Sequence, residues 1–226
     1  MTPERFRKLK SVLQLRQLDL TVLMEHVHKP HNLSAIMRTC DAVGVQNIHA
    51  VTKDEHVRAT KSAASGSGKW LDIQSHSDIN TAMSSLKNQG MQILAAHPSD
   101  HCIDFREMDY TKPSVILLGT ELYGVSDEAL EQADQHIIIP MLGTVDSLNV
   151  SVAAALILFE AQRQRLIAGL YDKQQLSDEA FHQILFKWSH PKLARFYESK
   201  ALPFPELDED GQVIEAEHHI KARLNN

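Results

Sequence analysis

Hydrophobic positions in this chain fall into short continuous runs, separated by stretches in which apolar residues recur every three or four positions. Runs at 21–27, 47–51, 91–96, 114–118 and 135–139 have the aliphatic, β-branched character of strands buried on both faces. Helical spacing occupies 33–43, 78–89 and 126–133, and a long Ala-rich helix is predicted from about Val150. Strand and helix therefore alternate, which predicts an α/β fold with a parallel sheet and helices on both faces. Gly169 interrupts the long helix, and Pro191, Pro203 and Pro205 punctuate the residues beyond it, so the last sixty or so residues read as a helical appendage with a poorly packed tail. The expected divisions are a basic N-terminal helix over 1–18, a central domain over 19–168 and a helical extension over 169–226. No internal repeat or low-complexity tract interrupts this order.

A length of 226 residues with 43% hydrophobic and 23% charged content is enough for one substantial core plus terminal extensions. No apolar run approaches the roughly 20 residues that span a bilayer, and the charged start Met1-Thr-Pro-Glu-Arg5 lacks the apolar stretch of a secretion signal. A cytoplasmic protein without membrane contact is expected. Cys40 and Cys102 lie far apart and neither opens a Cys-x-x-Cys pair, so they read as small packed side chains.

The net charge of -6 argues against a chain held to nucleic acid by its overall field. Local charge changes the picture. Arg5, Arg7, Lys8, Lys10 and Arg16 crowd the first helix, Arg58, Lys61 and Lys69 share a loop region, and Arg163, Arg165, Lys187, Lys192, Arg195 and Lys200 lie toward the C-terminus. Solvated helix faces explain such clusters as well as phosphate contacts do.

Three segments carry candidate chemistry. In the first, His28-Lys-Pro-His-Asn32 follows a strand, Asn32 is placed to cap a helix, and Arg38 falls off that helix's apolar stripe. Arg38 then either forms an exposed pair near Ser34 and Asp41 or meets an anion at the sheet's C-terminal edge. In the second, Gly119 and Gly124 flank Glu121 after a buried strand, a layout that lets a ligand approach the main chain, while Ser126 reads as a helix start. In the third, Ile137-Ile-Ile-Pro140 leads through a polar turn to Ser147-Leu-Asn149 at the start of the long helix. Backbone N–H groups lack internal partners there, so Ser147 and Asn149 are helix caps or ligand contacts.

Other motifs do not hold together. Ser65-Gly-Ser-Gly-Lys69 lacks Walker spacing and a preceding strand, and no Gly-x-Gly-x-x-Gly follows the first strand. His26, His28 and His31 have no carboxylate or thiolate partner at a usual spacing, so no metal is expected.

Taken in order, Asn32 to Arg38, Gly119 to Gly124 and Ile137 to Ser151 resemble the three motifs of the SPOUT methyltransferase superfamily, and most of all its TrmH type, the tRNA guanosine-2′-O-methyltransferases. The resemblance extends over nearly the whole chain, including Glu160-Ala-Gln-Arg-Gln-Arg165 and Leu202-Pro-Phe-Pro205. It implies a C-terminal trefoil knot, which periodicity does not reveal, a homodimer, and a bent pocket for S-adenosylmethionine. The matching positions place Ala96, Gly119, Gly124, Ile139 and Leu148 around that methyl donor. They assign Arg38, Asn32, Glu121, Ser147 and Asn149 to catalysis. Relatives often carry Thr at position 96 and an amide side chain at position 120, where this chain has Ala96 and Thr120.

The implied reaction moves a methyl group from sulfonium to the ribose 2′-oxygen of guanosine 18 in the tRNA D-loop. An arginine base is physically awkward, because guanidinium stays protonated. Arg38 is therefore expected to grip the adjacent phosphate and steady the developing oxyanion. Arg5, Arg7, Lys8, Lys10, Arg163, Arg165, Lys192 and Arg195 are expected to hold the tRNA body. Two alternatives stand beside this: an rRNA 2′-O-methyltransferase on the same core, and a noncatalytic RNA-binding module.

Overall fold

A computed structural model describes residues 1–52, 67–120 and 122–214. Arg58, Lys61, Ser65 and Glu121 lie outside the described residues. The chain divides into two compact units, Gln17–Asp172 and a second that joins Met1–Arg16 to Lys173–Asn226.

The larger unit is built on seven parallel strands: β1 Leu20–Glu25, β2 Asn47–Val51, β3 Asp72–His76, β4 Gln92–Ala96, β5 Ile103–Asp104, β6 Ser114–Leu118 and β7 Gln135–Ile138. Their order across the sheet is β3-β2-β1-β6-β4-β7-β5. Every residue of β1 and β6, at the centre, is buried. Successive side chains of a strand point to opposite faces, so each central strand feeds two cores. Leu20, Val22, Met24, Ile116 and Leu118 pack on one face with Leu33, Ile36, Met37 and Cys40 of helix α2 Pro30–Ala42. The helix Val150–Ile167 adds Ala154, Ile157, Leu158 and Ala161 to the same face. Leu23, Ile93, Ala95, Val115 and Leu117 pack on the other face, with Ala82, Met83 and Leu86 of α3 Ile79–Asn88 and Ala129 of α4 Asp127–Gln132. Each such aliphatic side chain removed from water contributes about 1.5–3 kcal/mol, which is what makes the two-faced runs adopt this sheet.

The expected α/β architecture is observed, with two additions. β3, read Asp-Ile-Gln-Ser-His, is an edge strand with mostly open side chains, and β5 has only two residues. Neither has the apolar run that marks a buried strand. In α2, the N-cap is Lys29 and Pro30 opens the first turn, which leaves Asn32 inside the helix and buried rather than capping it. Proline suits that first position because its missing N–H would have been unpaired there.

In the smaller unit, helix α1 Pro3–Gln14 packs on α6 Asp178–Ser189, and α7 Pro191–Ser199 follows; the helix Val150–Ile167 between them in sequence is α5. Phe186, Ala194 and Tyr197 form a core that Phe204, Leu207 and Val213 cover. The residues before 215 are therefore better packed than their prolines and acids predict. A short hairpin of β8 Glu206–Leu207 and β9 Val213–Ile214 turns at Gly211. There a Cβ would come within 2.4 Å of the Phe6 ring.

Two basic residues depart from the expected surface role. Arg165 is 0% exposed: it donates to Tyr110 O, Asp19 O and Lys112 O, to Gln17 Oε1, and to Asp19 Oδ1 at 2.6 Å. A guanidinium with this many fixed acceptors is a structural tie and has no face left for RNA. Arg16 is likewise buried, with its guanidinium 5.2 Å from the centre of the Trp188 ring. Arg5, Arg7, Lys8, Lys10, Lys192 and Arg195 are exposed, and Arg163 is exposed while paired with Glu160. Among the described residues no helix is long and apolar enough to cross a membrane, and no three His, Cys, Asp or Glu side chains are grouped to hold a metal ion.

Candidate active site

Because the strands are parallel, the loops after β1, β4, β6 and β7 all leave the same edge of the sheet, which is where open α/β folds place ligands. The loop after β6 is a tight turn. Thr120 and Gly124 exchange backbone hydrogen bonds at 2.8 and 2.9 Å, and the Thr120 hydroxyl accepts from Tyr123 N–H at 3.0 Å. Gly119 is obligatory here, since a Cβ on it would lie 2.0 Å from the carbonyl carbon and oxygen of Gly124. Gly124 itself has φ +69°, a conformation L side chains rarely adopt. The turn is moored to β1 through Glu25, a buried carboxylate that accepts from Ser126 N–H at 2.9 Å and from its hydroxyl at 2.6 Å. Ser126 also caps α4, as the acidic start of that helix predicts.

The loops after β4 and β7 enclose a pocket of about 140 Å³. Ala96, Ile139, Ser147 and Leu148 line it together, and His97, Asp146 and Ile157 complete its wall. His97 was not singled out by the sequence; an isolated His-Pro pair after a strand gives no periodic or spacing signal. Its ring reaches the turn after β6, where a Cβ on Gly124 would be 3.2 Å from Nδ1. Burial lowers the His97 pKa, nearby His136 lowers it further, and Asp127 partly opposes them. His136 is held between the Ser99 hydroxyl and the Leu130 carbonyl, at 2.8 and 3.1 Å.

Asn149 caps α5, its side-chain oxygen accepting from Ser151 N–H at 2.8 Å and from the Ser151 hydroxyl at 2.6 Å. Its amide nitrogen donates to Asn32 Oδ1 at 3.1 Å, so residues expected from separate motifs meet directly. Arg38, two turns further along α2, is exposed and makes no hydrogen bond or ion pair with a described residue. The exposed pair with Asp41 is thus not formed.

A second, larger cleft of about 580 Å³ is lined by His26, His28, Lys29 and Asn32 together with Thr120, Leu122 and Tyr123 of the turn after β6. Asn32 lines this cleft and Asn149 follows Leu148 of the pocket, so the Asn32–Asn149 bond links the two.

The chain is similar to known proteins. Residues 19–159 match the SpoU rRNA Methylase family, and residues 163–216 match the SpoU rRNA methylase C-terminal family. A tRNA (guanosine(18)-2′-O)-methyltransferase of Escherichia coli K12 is 51% identical over 215 residues, 94% of each chain. The crystal structure of an Aquifex aeolicus TrmH/SpoU tRNA modifying enzyme superposes with a TM-score of 0.75 at 43% identity, covering 84% of this chain and 97% of that one. An AdoMet-bound rRNA methyltransferase from Sinorhizobium meliloti superposes with a TM-score of 0.59 at 32% identity, over 69% of this chain and 59% of that one. The chain belongs to the SpoU methylase family, in its TrmH branch within the SPOUT superfamily.

Proposed function

We propose that this protein transfers the methyl group of S-adenosylmethionine to the ribose 2′-oxygen of guanosine 18 in tRNA, acting in the cytoplasm. The observation that carries the proposal is the joint placement of Ala96, Ile139, Ser147 and Leu148 around one pocket, with Asn149 of the same turn bonded to Asn32. The 51% identity to a tRNA (guanosine(18)-2′-O)-methyltransferase, over nearly all of both chains, supports tRNA over rRNA as substrate.

The pocket's chemistry suits the donor. Ile137, Ile139, Leu148 and Ile157 offer apolar surface for a flat base, and Asp146 offers a carboxylate to a cationic group. S-adenosylmethionine supplies an electrophilic methyl carbon. The protein has to orient the acceptor oxygen in line and take charge of its proton. Asn32 and Asn149 fix one another and, with Ser147, present amide and hydroxyl groups beside the donor pocket. Arg38, exposed and without a carboxylate partner among the described residues, is available to grip the phosphate next to the reacting sugar and to stabilise negative charge on its oxygen. Its proton stays in place, and the phosphate or water receives the proton of the 2′-hydroxyl. Glu121, between the two glycines, is assigned to the same site by family resemblance.

The same reading includes a homodimer and a knotted C-terminal segment. Val152, Leu156, Phe159 and Leu166 form an exposed apolar stripe along α5, at spacings of three, four and seven residues. We assign this stripe to the second copy in the homodimer that the family resemblance implies. The knot rests on the family resemblance alone. The terminal unit, with exposed Arg5, Arg7, Lys8, Lys10, Lys192 and Arg195, is assigned to the tRNA body.

The test is incubation of the full chain with methyl-labelled S-adenosylmethionine and an unmodified tRNA transcript, followed by mapping of the labelled nucleotide. Label confined to the 2′-oxygen of guanosine 18 is expected. Label on rRNA fragments in preference to tRNA would overturn the choice of substrate.

A further inference from the structure

His97 stands where the donor pocket meets the turn after β6. Its backbone N–H donates to Ala95 O at 2.9 Å and to Ile137 O at 3.2 Å, which anchors the residue where β4 and β7 end side by side. It lines the pocket with Ala96, Ile139 and Leu148. Next to its ring lies the turn: a Cβ on Gly124 would meet Nδ1 and Cε1 of His97 at 3.2 and 3.4 Å. Gly119 packs against Gly124 in turn, so closely that a Cβ on it would lie 2.0 Å from the Gly124 carbonyl.

We propose that His97 is a positioning residue for methyl transfer, an uncharged strut that sets how far the turn after β6 stands from a donor held in the pocket. The inference rests on the proposed methyltransferase activity and adds to it a residue outside the three motifs.

Packing and charge both carry it. Gly124 has no side chain with which to fill the space beside the pocket, and the imidazole fills it instead. With the ring anchored on the sheet and main chain stacked behind Gly124, a change at residue 97 is passed to the turn rather than absorbed, as in any close-packed interior. The charged and titratable groups around the ring are His136 from β7, edge-on at 6.4 Å, Asp127 in the first turn of α4, and Asp146 on the pocket wall. Burial first, and then His136, lower the His97 pKa against the pull of Asp127. His136 meets the Leu130 carbonyl through Nε2, and a carbonyl only accepts, so Nε2 carries the proton and Nδ1 of the neutral ring receives the Ser99 hydroxyl. A neutral His97 shares a pocket of about 140 Å³ with a sulfonium at no electrostatic cost, whereas an imidazolium would set two like charges in that space. By linkage, a cationic ligand in the pocket lowers the His97 pKa further, and more than an uncharged ligand of the same shape does.

The test compares wild type, His97→Ala and His97→Asn, whose amide reaches the Nδ1 position and takes up no proton. Single-turnover transfer to a tRNA transcript at saturating donor, calorimetric affinity for S-adenosylhomocysteine, and Tm are measured for each. His97→Ala should slow transfer roughly 10- to 100-fold, as expected for a misplacement on the order of 1 Å, while affinity changes less than about threefold. His97→Asn should recover to within about fivefold of wild type. Equal losses of rate and affinity, or His97→Asn no better than His97→Ala, overturn the inference. A drop in Tm that accounts for the lost rate makes the ring a folding contact and also overturns it. Independently of activity, wild type labelled at histidine Cε1 is titrated by NMR, with the His97 signal identified by its absence from His97→Asn. His97 should titrate below the ordinary 6.5 in the free protein, and S-adenosylmethionine should lower it further than S-adenosylhomocysteine does. Equal shifts with the two ligands overturn the strut as an uncharged one. Wild type that transfers no methyl group to tRNA overturns the proposed activity and this inference with it, whereas an active wild type that fails these comparisons overturns this inference alone.

Discussion

The side-chain amide of Asn149 donates to the side-chain oxygen of Asn32 at 3.1 Å, joining residues 117 positions apart. Asn149 does two separable things, since its own oxygen caps α5 through Ser151. Asn149→Asp keeps the cap, and a negative charge favours a helix N-terminus. It also sets two acceptors face to face where Asn32 is only 2% exposed. Single-turnover methyl transfer should fall roughly 10- to 100-fold, equivalent to about 1.4–2.7 kcal/mol, while Tm falls by only about a few degrees, because the strengthened cap offsets part of the cost of the unmatched acceptors. A parallel collapse of Tm and rate would instead make the bond a folding contact.

Gly119→Ala should remove S-adenosylmethionine binding. The added methyl would sit 2.0 Å from the backbone of Gly124, and main chain cannot swing aside as a flexible side chain can. Calorimetric titration checks this. Wild-type affinity in the variant would show that the turn opens without disturbing the pocket.

Arg165→Met should act on stability rather than on RNA. Removing one partner of a buried pair leaves Asp19 and several carbonyls unmatched, a loss of about 3–5 kcal/mol. For a chain of this size that corresponds to a drop in Tm of about 10 °C. At temperatures where the variant is folded, its tRNA affinity should equal that of wild type. Weaker binding at full foldedness would return Arg165 to the RNA contacts.

Acid should destabilise the fold through His49, which is 5% exposed and bonded ring to ring with His76 at 2.9 Å. Burial, reinforced by His76, lowers its pKa to about 4 against the weaker pull of Asp72. The unfolded chain binds the proton near pH 6.5 and the folded chain only near pH 4, so stability rises with pH across that window and is level above it. The loss on acidification is on the order of 3 kcal/mol. Replacing His49 with Gln should flatten the Tm profile between pH 6.5 and 4. An unaltered slope would assign the acid sensitivity to other groups.

Phe159→Glu places a charge in the exposed stripe on α5. If a second copy covers that stripe, the variant should elute as a monomer and lose activity while keeping its melting behaviour at the monomer level. Unchanged mass would show that the dimer uses another face.

Much of this protein is legible in one dimension. The runs at Leu20–Glu25 and Ser114–Leu118 carry apolar side chains on both faces of the strand, and the centre of a sheet buries both. Ser126 and Asn149 announce helix starts because capping needs only the residue and its next three neighbours. Asn32 does not cap α2 because Pro30 opens the helix earlier, and the segment after α5 packs better than its prolines predict because α6, α7 and the residues that follow them share one aromatic core.

What the sequence determined by itself was therefore local: the order of strands and helices, the caps, and the glycines on either side of Glu121. What only the tertiary structure decided was adjacency. It turned Arg165 inward, although its neighbour Arg163 faces water, because the acceptors that hold it come from residues 17–19 and 110–112. It set the His97 ring against the backbone of Gly124. Side-chain chemistry is written along the chain, but a buried charge or a binding cleft depends on which distant segments share the same low-dielectric space, and that is settled only when the sheet assembles.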